Sequence, residues 1–203
     1  MHVNGFAELS DLSCGASRHG EVLHNMKGSV GTVWFRPLEC SDLSMLHEWL
    51  CRPHVSKWWG PPPAYSEVEA EYAPYTAPES TIRGYITFRE EEPIGFIQSY
   101  VVMGSGDGWW PDETDPGARG IDHFLANRYQ LGRGLGSTVV SAFVAQLLLD
   151  PWVTNVQTDP SPDNQRAIRS YLRAGFFIVG EVMTPDGCAL LMVHRRCSSR
   201  TDG

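Results

Sequence analysis

Three groups of residues in this 203-residue chain have side chains and spacings suited to chemistry. The first is QLGRGLG, Gln130 to Gly136, with glycines at 132, 134 and 136 ahead of an apolar run. Glycine lets backbone approach a ligand, and a helix starting there offers unpaired N–H groups and a positive dipole end to a phosphate. No G-K-[ST] follows and the loop is not on the first strand–helix unit, so neither a Walker loop nor a dinucleotide fingerprint is indicated. A plain tight turn is the alternative. The second group is NQRAIRSYLRAGF, Asn164 to Phe176, in which Asn164, Ala167 and Tyr171 recur at spacings of 3 and 4. Those spacings share one helix face, which holds a hydroxyl where Leu or Ile is usual. The third group is acidic and aromatic. In GSGDGWWPDETDP, Trp109 and Trp110 lie among Asp107, Asp112, Glu113 and Asp115 with no Lys or Arg. Asp122 stands in the apolar stretch ARGIDHFLA, where an unpaired carboxylate is costly without a partner. Asp159 before Pro160, and Asp186 in TPDG, add carboxylates at positions that also suit turns. Asp112, Glu113 and Asp115 read as a solvated acidic rim.

The elements that must hold these groups are legible from periodicity. VGTVWFRPL predicts a strand over 30–38, and Ser41 caps a helix carrying Leu43, Leu46, Trp49 and Leu50. HVSKWWGPPPAYS reads as a loop because of its prolines. A short acidic helix is expected over 66–73, then a hairpin of strands over 81–90 and 93–102. The acidic tryptophan stretch follows, then a strand over 118–126, a buried helix over 137–149 and a strand over 152–158. A helix over 163–174 stopping at Gly175, and two last strands around TPDG, complete the order. This predicts one mixed α/β sheet with helices on both faces. Residues 1–30 read as a poorly ordered extension, 31–197 as the domain and 198–203 as a tail.

Composition narrows the partners. The net charge is −8, with 16 Lys+Arg against 24 Asp+Glu, which disfavours nucleic acid and suits a cationic ligand. Mild acidity also serves solubility alone. Five cysteines without C-x-x-C, and histidines without ligand spacing, suggest no disulfide framework and no metal. No apolar run approaches a membrane span and the N-terminus is no secretory signal, so a cytoplasmic protein is expected.

The Gly-rich loop and the N-x-x-A-x-x-x-Y-x-x-x-G-F helix together resemble the acetyl-CoA half of GNAT superfamily N-acetyltransferases. The run LHEWLCRPHVSKWWG, PIGFIQSYVVMGSGDGWW, DETDPGARGID, QLGRGLG, VQTDPSPDNQRAIRSYLRAGF and TPDG, over roughly 33–193, is similar to aminoglycoside 6′-N-acetyltransferases in particular. The resemblance implies a GNAT fold, a mostly antiparallel sheet with two splayed parallel strands at its centre. It implies acetyl-CoA held by Phe124, Leu131, Gly132, Arg133, Gly134, Leu135, Gly136, Ser137, Asn164, Ala167 and Tyr171. The family pattern [QR]-x-x-G-x-[GA] is met with Leu131 at its first position and Gln130 one residue early. The substrates implied are aminoglycoside antibiotics such as kanamycin and tobramycin, met in a bacterial cytoplasm. Their ammonium groups would meet Asp107, Asp122, Asp159 and Asp186, and their rings Trp109, Trp110, Trp49, Tyr72 and Gln98. Trp49 equally suits a core. Asp122 would be the base, Tyr171 the acid for the leaving thiolate, and backbone N–H groups near 122–124 would polarise the carbonyl. Attack would be direct, without an acetyl-enzyme, in a monomer or homodimer. Acetylation of another polyamine, or cationic-sugar binding without catalysis, stays open.

Overall fold

The structure is a computed structural model that describes residues 32–106 and 108–196. The 1–30 extension, the 198–203 tail and Asp107 lie outside the described residues. The chain begins with β1 (Val33–Pro37), followed by three short helices, α1 (Leu43–Leu50), α2 (Pro53–Trp59) and α3 (Tyr65–Tyr72). The hairpin β2 (Ile82–Arg89) and β3 (Glu92–Val101) comes next, then β4 (Ala118–Leu125) and α4 (Leu135–Leu147). β5 (Asn155–Thr158), α5 (Gln165–Arg173), β6 (Phe177–Thr184) and β7 (Gly187–Arg195) finish the order. The seven strands form one sheet in the order β1-β2-β3-β4-β5-β7-β6.

Every pairing is antiparallel except β4 with β5, which is parallel and lasts from Ala118↔Asn155 only to Gly120↔Gln157. Past Gly120, β4 runs on to Leu125 with no strand on that side. At the far end of that stretch side chains take over. The Leu125 carbonyl lies 3.0 Å from His54 Nε2, and the Ala126 carbonyl accepts from Arg52 at 2.7 Å. A central sheet therefore opens into a gap without leaving those carbonyls bare.

Side chains alternate across the sheet. On one face Ile97, Ile121, Leu125 and Val156 pack beneath α4 and α5 through Val140, Phe143 and Tyr171. On the other, Phe96 and Phe124 meet Leu46, Trp49, Val68 and Tyr72 of α1 and α3. Ile94 and Ile97 share the first face although they are three apart, because a bulge near Phe88 shifts the β2–β3 register past Ile94. At the start of α1, Asp42 is buried and takes a bidentate pair from Arg36 at 2.7 and 2.9 Å.

Three expectations need correction. The HVSKWWGPPPAYS segment is not all loop: α2 begins with Pro53 at its first position, where the missing N–H is no loss. The three prolines stand after its end at Gly60. The strand expected from Trp152 starts only at Asn155, and Trp152 is 78% exposed in the preceding turn. Asp115 is also more than rim. Its carboxylate accepts from Gly117 N and from Thr154 Oγ1 and Asn155 Nδ2, tying the loop before β4 to the start of β5. These bonds hold its pKa below the ordinary value.

Gly120 is required by packing: a Cβ there would overlap the Tyr100 ring, which lies across it on β3. Gly120→Ala is expected to cost about 1–3 kcal/mol, the range for overpacking a filled site. Thermal unfolding measures it, and a Tm within a degree of wild type contradicts this account.

Candidate active site

The gap beside β4 is the floor of a groove of about 260 Å³ between α2 and the N-terminal ends of α4 and α5. Gly132 and Gly134 have φ of 74° and 86°, with open space where a Cβ would stand. These left-handed turns bring the chain into α4 with its first-turn N–H groups facing outward, and Thr138 N is the first to bond back, to Gly134 O. Gly136 has ordinary φ but is tight, because a Cβ would come 2.9 Å from Ser170 Oγ. Of the residues expected to hold the cofactor, Phe124, Leu131, Gly132, Gly134, Gly136 and Ser137 line the groove, as do Asn164 and Ala167. Arg133 is exposed and Leu135 points into the core. Asn164 caps α5, its side-chain oxygen accepting from Ala167 N at 3.2 Å.

Several groove residues escaped the reading from sequence. Arg166, Arg169 and Arg173 line it from α5. Their spacing of 3 and 4 puts them on one face, a signal available in the sequence. With the α4 N-terminus they offer a cationic seat in an otherwise acidic protein. The residues present therefore fit a phosphate-bearing cofactor with a long apolar arm. Trp58 and Trp59, left unassigned from sequence, also line this groove.

At the end of β4 nearest β5 the charge reverses. Asp122, on the α1–α3 face, accepts from Gln98 Nε2 at 3.1 Å across the β3–β4 pair. Burial pushes its carboxyl up to about 6, against the Gln98 hydrogen bond, and Asp186 adds like charge. Burial, then the charges of Asp122 and Asp186, push Asp159 up to about 7. The three carboxylates are thus mutually felt, and no Lys or Arg offsets the first two. Such a pair titrates jointly. The buried Gln98 Oε1 and Gln157 Nε2 have no hydrogen-bond partner, so polar capacity is left over at this end.

Around the carboxylates stand aromatic rings. Tyr72 is buried and its hydroxyl accepts from Trp59 Nε1 at 2.8 Å; burial and neighbouring charge raise its pKa, Asp122 contributing. Tyr75 next to it is pushed up to about 12, chiefly by burial. Trp49 is only 4% exposed and meets Phe124 edge-on at 6.4 Å, so it supports the wall from behind. Trp109 and Trp110 are half-buried, their ring centroids 6.4 Å apart. Trp110 has φ of 49°, an uncommon value for a non-glycine, after three left-handed glycines at 104, 106 and 108. Its buried Nε1 approaches the Tyr100 hydroxyl without a well-formed hydrogen bond. Asp186 is exposed at the tip of the β6–β7 turn, and Pro185 beside it stands 3.7 Å from the Cβ position of Gly108. The two loops therefore face each other.

Tyr171 joins the two ends. It is buried on α5 beneath the sheet, 4% exposed, and burial together with the charge of Asp122 raises its pKa far above the ordinary value. Its hydroxyl lies 3.1 Å from His123 Nδ1. Asp122 and His123 are consecutive, so strand alternation puts them on opposite faces. Only the gap between β4 and β5 lets a ligand touch both. Among the described residues no cluster of His, Cys, Asp or Glu could hold a metal, and no helix is long and apolar enough to cross a membrane.

Comparison with known proteins agrees with this geometry. A family model described as the acetyltransferase (GNAT) domain matches residues 39–184. The aminoglycoside N(6′)-acetyltransferase type 1 of Klebsiella pneumoniae is 51% identical over 171 residues, covering 83% of this chain and 85% of that protein. A crystal structure of aminoglycoside acetyltransferase AAC(6′)-Ib with coenzyme A and kanamycin is 52% identical, with a TM-score of 0.78 over 81% of this chain and 95% of that one. A structure of AAC(6′)-Ib holding acetyl-CoA is 50% identical, with a TM-score of 0.79 over 85% of this chain and 99% of that one. A groove with a glycine-turned helix start, a tyrosine beneath the strand gap and this degree of likeness lead to one conclusion: the chain belongs to the GNAT acetyltransferases, within the aminoglycoside 6′-N-acetyltransferase family.

Proposed function

We propose that this enzyme transfers the acetyl group of acetyl-CoA to the 6′-amine of aminoglycosides such as kanamycin and tobramycin, and so confers resistance to them. The observation that carries the reading is the pairing of opposite fields on one gap. The α4 start and the α5 arginines suit a phosphate ligand. Asp122, Asp159 and Asp186, walled by aromatic rings, suit a polycation. Carboxylates accept hydrogen bonds from ammonium groups, each worth about 1.5–3 kcal/mol. Aromatic faces attract neighbouring cations by about 0.5–2 kcal/mol. Asp107 belongs to this proposed substrate surface by its place in GDGWW.

Asp122 has the environment of a base. Burial raises its affinity for a proton toward neutrality, and it stands at the gap, so it takes a proton from the incoming ammonium directly or through water. The neutral amine then attacks the acetyl carbon. Alternation along β4 turns the N–H of His123 toward the side that β5 vacates, as the Leu125 carbonyl is turned. That N–H is the donor suited to the carbonyl oxygen as charge develops. The nitrogen gives up its second proton to solvent, the carbon–sulfur bond breaks and the thiolate takes the phenolic proton of Tyr171. A phenol held neutral by burial is available as an acid at every working pH.

The deciding experiment measures thiol release from acetyl-CoA with kanamycin, tobramycin and spermidine. Release with the sugars and not with spermidine is expected. Binding of kanamycin without thiol release would falsify the enzymatic reading. Asp122→Asn is expected to lower kcat about 100-fold or more, the scale of a lost general base, while acetyl-CoA still binds by calorimetry. Tyr171→Phe should lower kcat by a similar factor with little change in the kanamycin KM. A wild-type kcat in Tyr171→Phe removes the acid role.

The raised carboxylates also carry a pH signature. Asp122 at about 6 and Asp159 at about 7 lie above the ordinary aspartate value. Their contribution to stability is full below that ordinary value and is lost as pH rises through 6 to 7. The free enzyme is expected to lose Tm over this window relative to the Asp122→Asn/Asp159→Asn double variant. Activity runs the other way, because the base must be ionised, so kcat/KM rises with pH through the same window. A Tm difference constant from pH 5 to pH 8 argues against both shifts.

A further inference from the structure

Nothing so far uses the His123 side chain. It is half-buried on β4, on the α4–α5 face, and its ring meets that of Tyr171 edge-on with centroids 5.5 Å apart. Nδ1 is 3.1 Å from the Tyr171 hydroxyl. Nε2 looks the other way, 3.6 Å from where a Cβ on Gly136 would stand, and the ring lines the groove. The groups near it are Tyr171 and Ser170 on α5 and Gly136 on α4; Asp122 next in sequence points to the opposite face. None of these is a cation or a facing carboxylate, and burial alone lowers the imidazole pKa to about 4. The ring is therefore neutral, with one N–H to place.

We infer that His123 is a positioning residue for Tyr171, its Nδ1–H donating to the phenolic oxygen so that the phenolic proton is free to point at the leaving sulfur. The inference rests on the acid role given to Tyr171 above. The chemistry selects the tautomer. If Nδ1 were bare, Tyr171 would donate to it, and the proton needed at sulfur would be directed into the strand. With Nδ1 protonated, the imidazole supports the phenolate as it forms. The balance is complete: nitrogen bonds to the acetyl carbon and gives up its second proton to solvent, the carbon–sulfur bond breaks, and sulfur gains the phenolic proton. The phenolate is reprotonated from solvent, and His123 ends as it began, neutral with its proton on Nδ1. Burial and the charge of Asp122 both oppose the phenolate and a hydrogen bond from Thr158 offsets part of that, so a second donor at this site adds to the support the phenolate needs. Gly136, by carrying no side chain, leaves the Nε2 side open to the groove.

The test combines a tautomer measurement with a double-mutant cycle. Nitrogen-15 NMR of the histidine-labelled enzyme without ligands should show His123 neutral at pH 7 with the proton on Nδ1; a proton on Nε2 overturns the inference. His123→Leu should lower kcat about 10-fold or more while the kanamycin KM stays within about threefold, and His123→Gln, which keeps an N–H donor, should recover part of the loss. In the Tyr171→Phe background, His123→Leu should cause no further loss, since it acts through the hydroxyl already removed. Additive losses overturn it. Wild-type kcat in His123→Leu beside an impaired Tyr171→Phe sinks this inference and leaves the acid role intact. Wild-type kcat in Tyr171→Phe sinks the acid role itself. If His123→Leu does not fold, the Gln variant and the tautomer measurement decide.

Discussion

The parallel pairing of β4 with β5 stops after three residue pairs, and the rest of the structure is arranged around that stop. A strand in the middle of a sheet normally shows its neighbours only backbone. Here β4 runs five residues past its last partner on that side, from Ile121 to Leu125. The free edge would be an aggregation and solvation liability. It is instead answered at Leu125 by His54, with Arg52 on the Ala126 carbonyl just beyond, and along its length it forms the floor of a groove. Because consecutive side chains on a strand point to opposite faces, the gap is also the one place where Asp122 and Tyr171, on different sides of the sheet, can meet a single ligand.

Charge is divided along the same line. A chain of net charge −8 has three arginines of α5 on one side of the gap, beside the glycine-turned start of α4. On the other it gathers half-buried carboxylates without basic partners. Each arrangement is costly alone, since like charges repel and buried carboxylates lose hydration. Both become favourable when a polyanion fills one end and a polycation the other. The raised carboxylate pKa values, the unpartnered Gln98 and Gln157 atoms and the left-handed Trp110 are local departures from a relaxed protein that cluster at the acidic end.

Most elements could be read from the chain. The strand–helix order, the Asn164–Tyr171 face and the glycines of the α4 entry all have short-range causes: period, capping and φ. Errors arose where a short-range signal was overridden. Prolines at 61–63 masked the helix before them, and Trp152 looked like strand until the turn at Asp150 claimed it. Asp115 looked like one more surface acid, but Thr154 and Asn155, some forty residues on, make it a tie between loop and strand. Trp49 shows the converse: its residue type suits a sugar cleft, and its place on the inward face of α1 gives it to the core.

By itself, the sequence determined which residues could act: a phenol and an asparagine on one helix face, an aspartate in an apolar strand, tryptophans among acids, and glycines before a helix. It also contained the arginine triad of α5 at legible spacing. Only the tertiary structure decided which of these share a space. His123 next to Tyr171 depends on β4 and α5, 48 residues apart, meeting at one level, and the sum of Asp122, Asp159 and Asp186 depends on the middle of β4, the end of β5 and the β6–β7 turn converging. Local pattern follows from bonds and sterics within a few residues. Proximity and pKa follow from burial, which belongs to the packed whole.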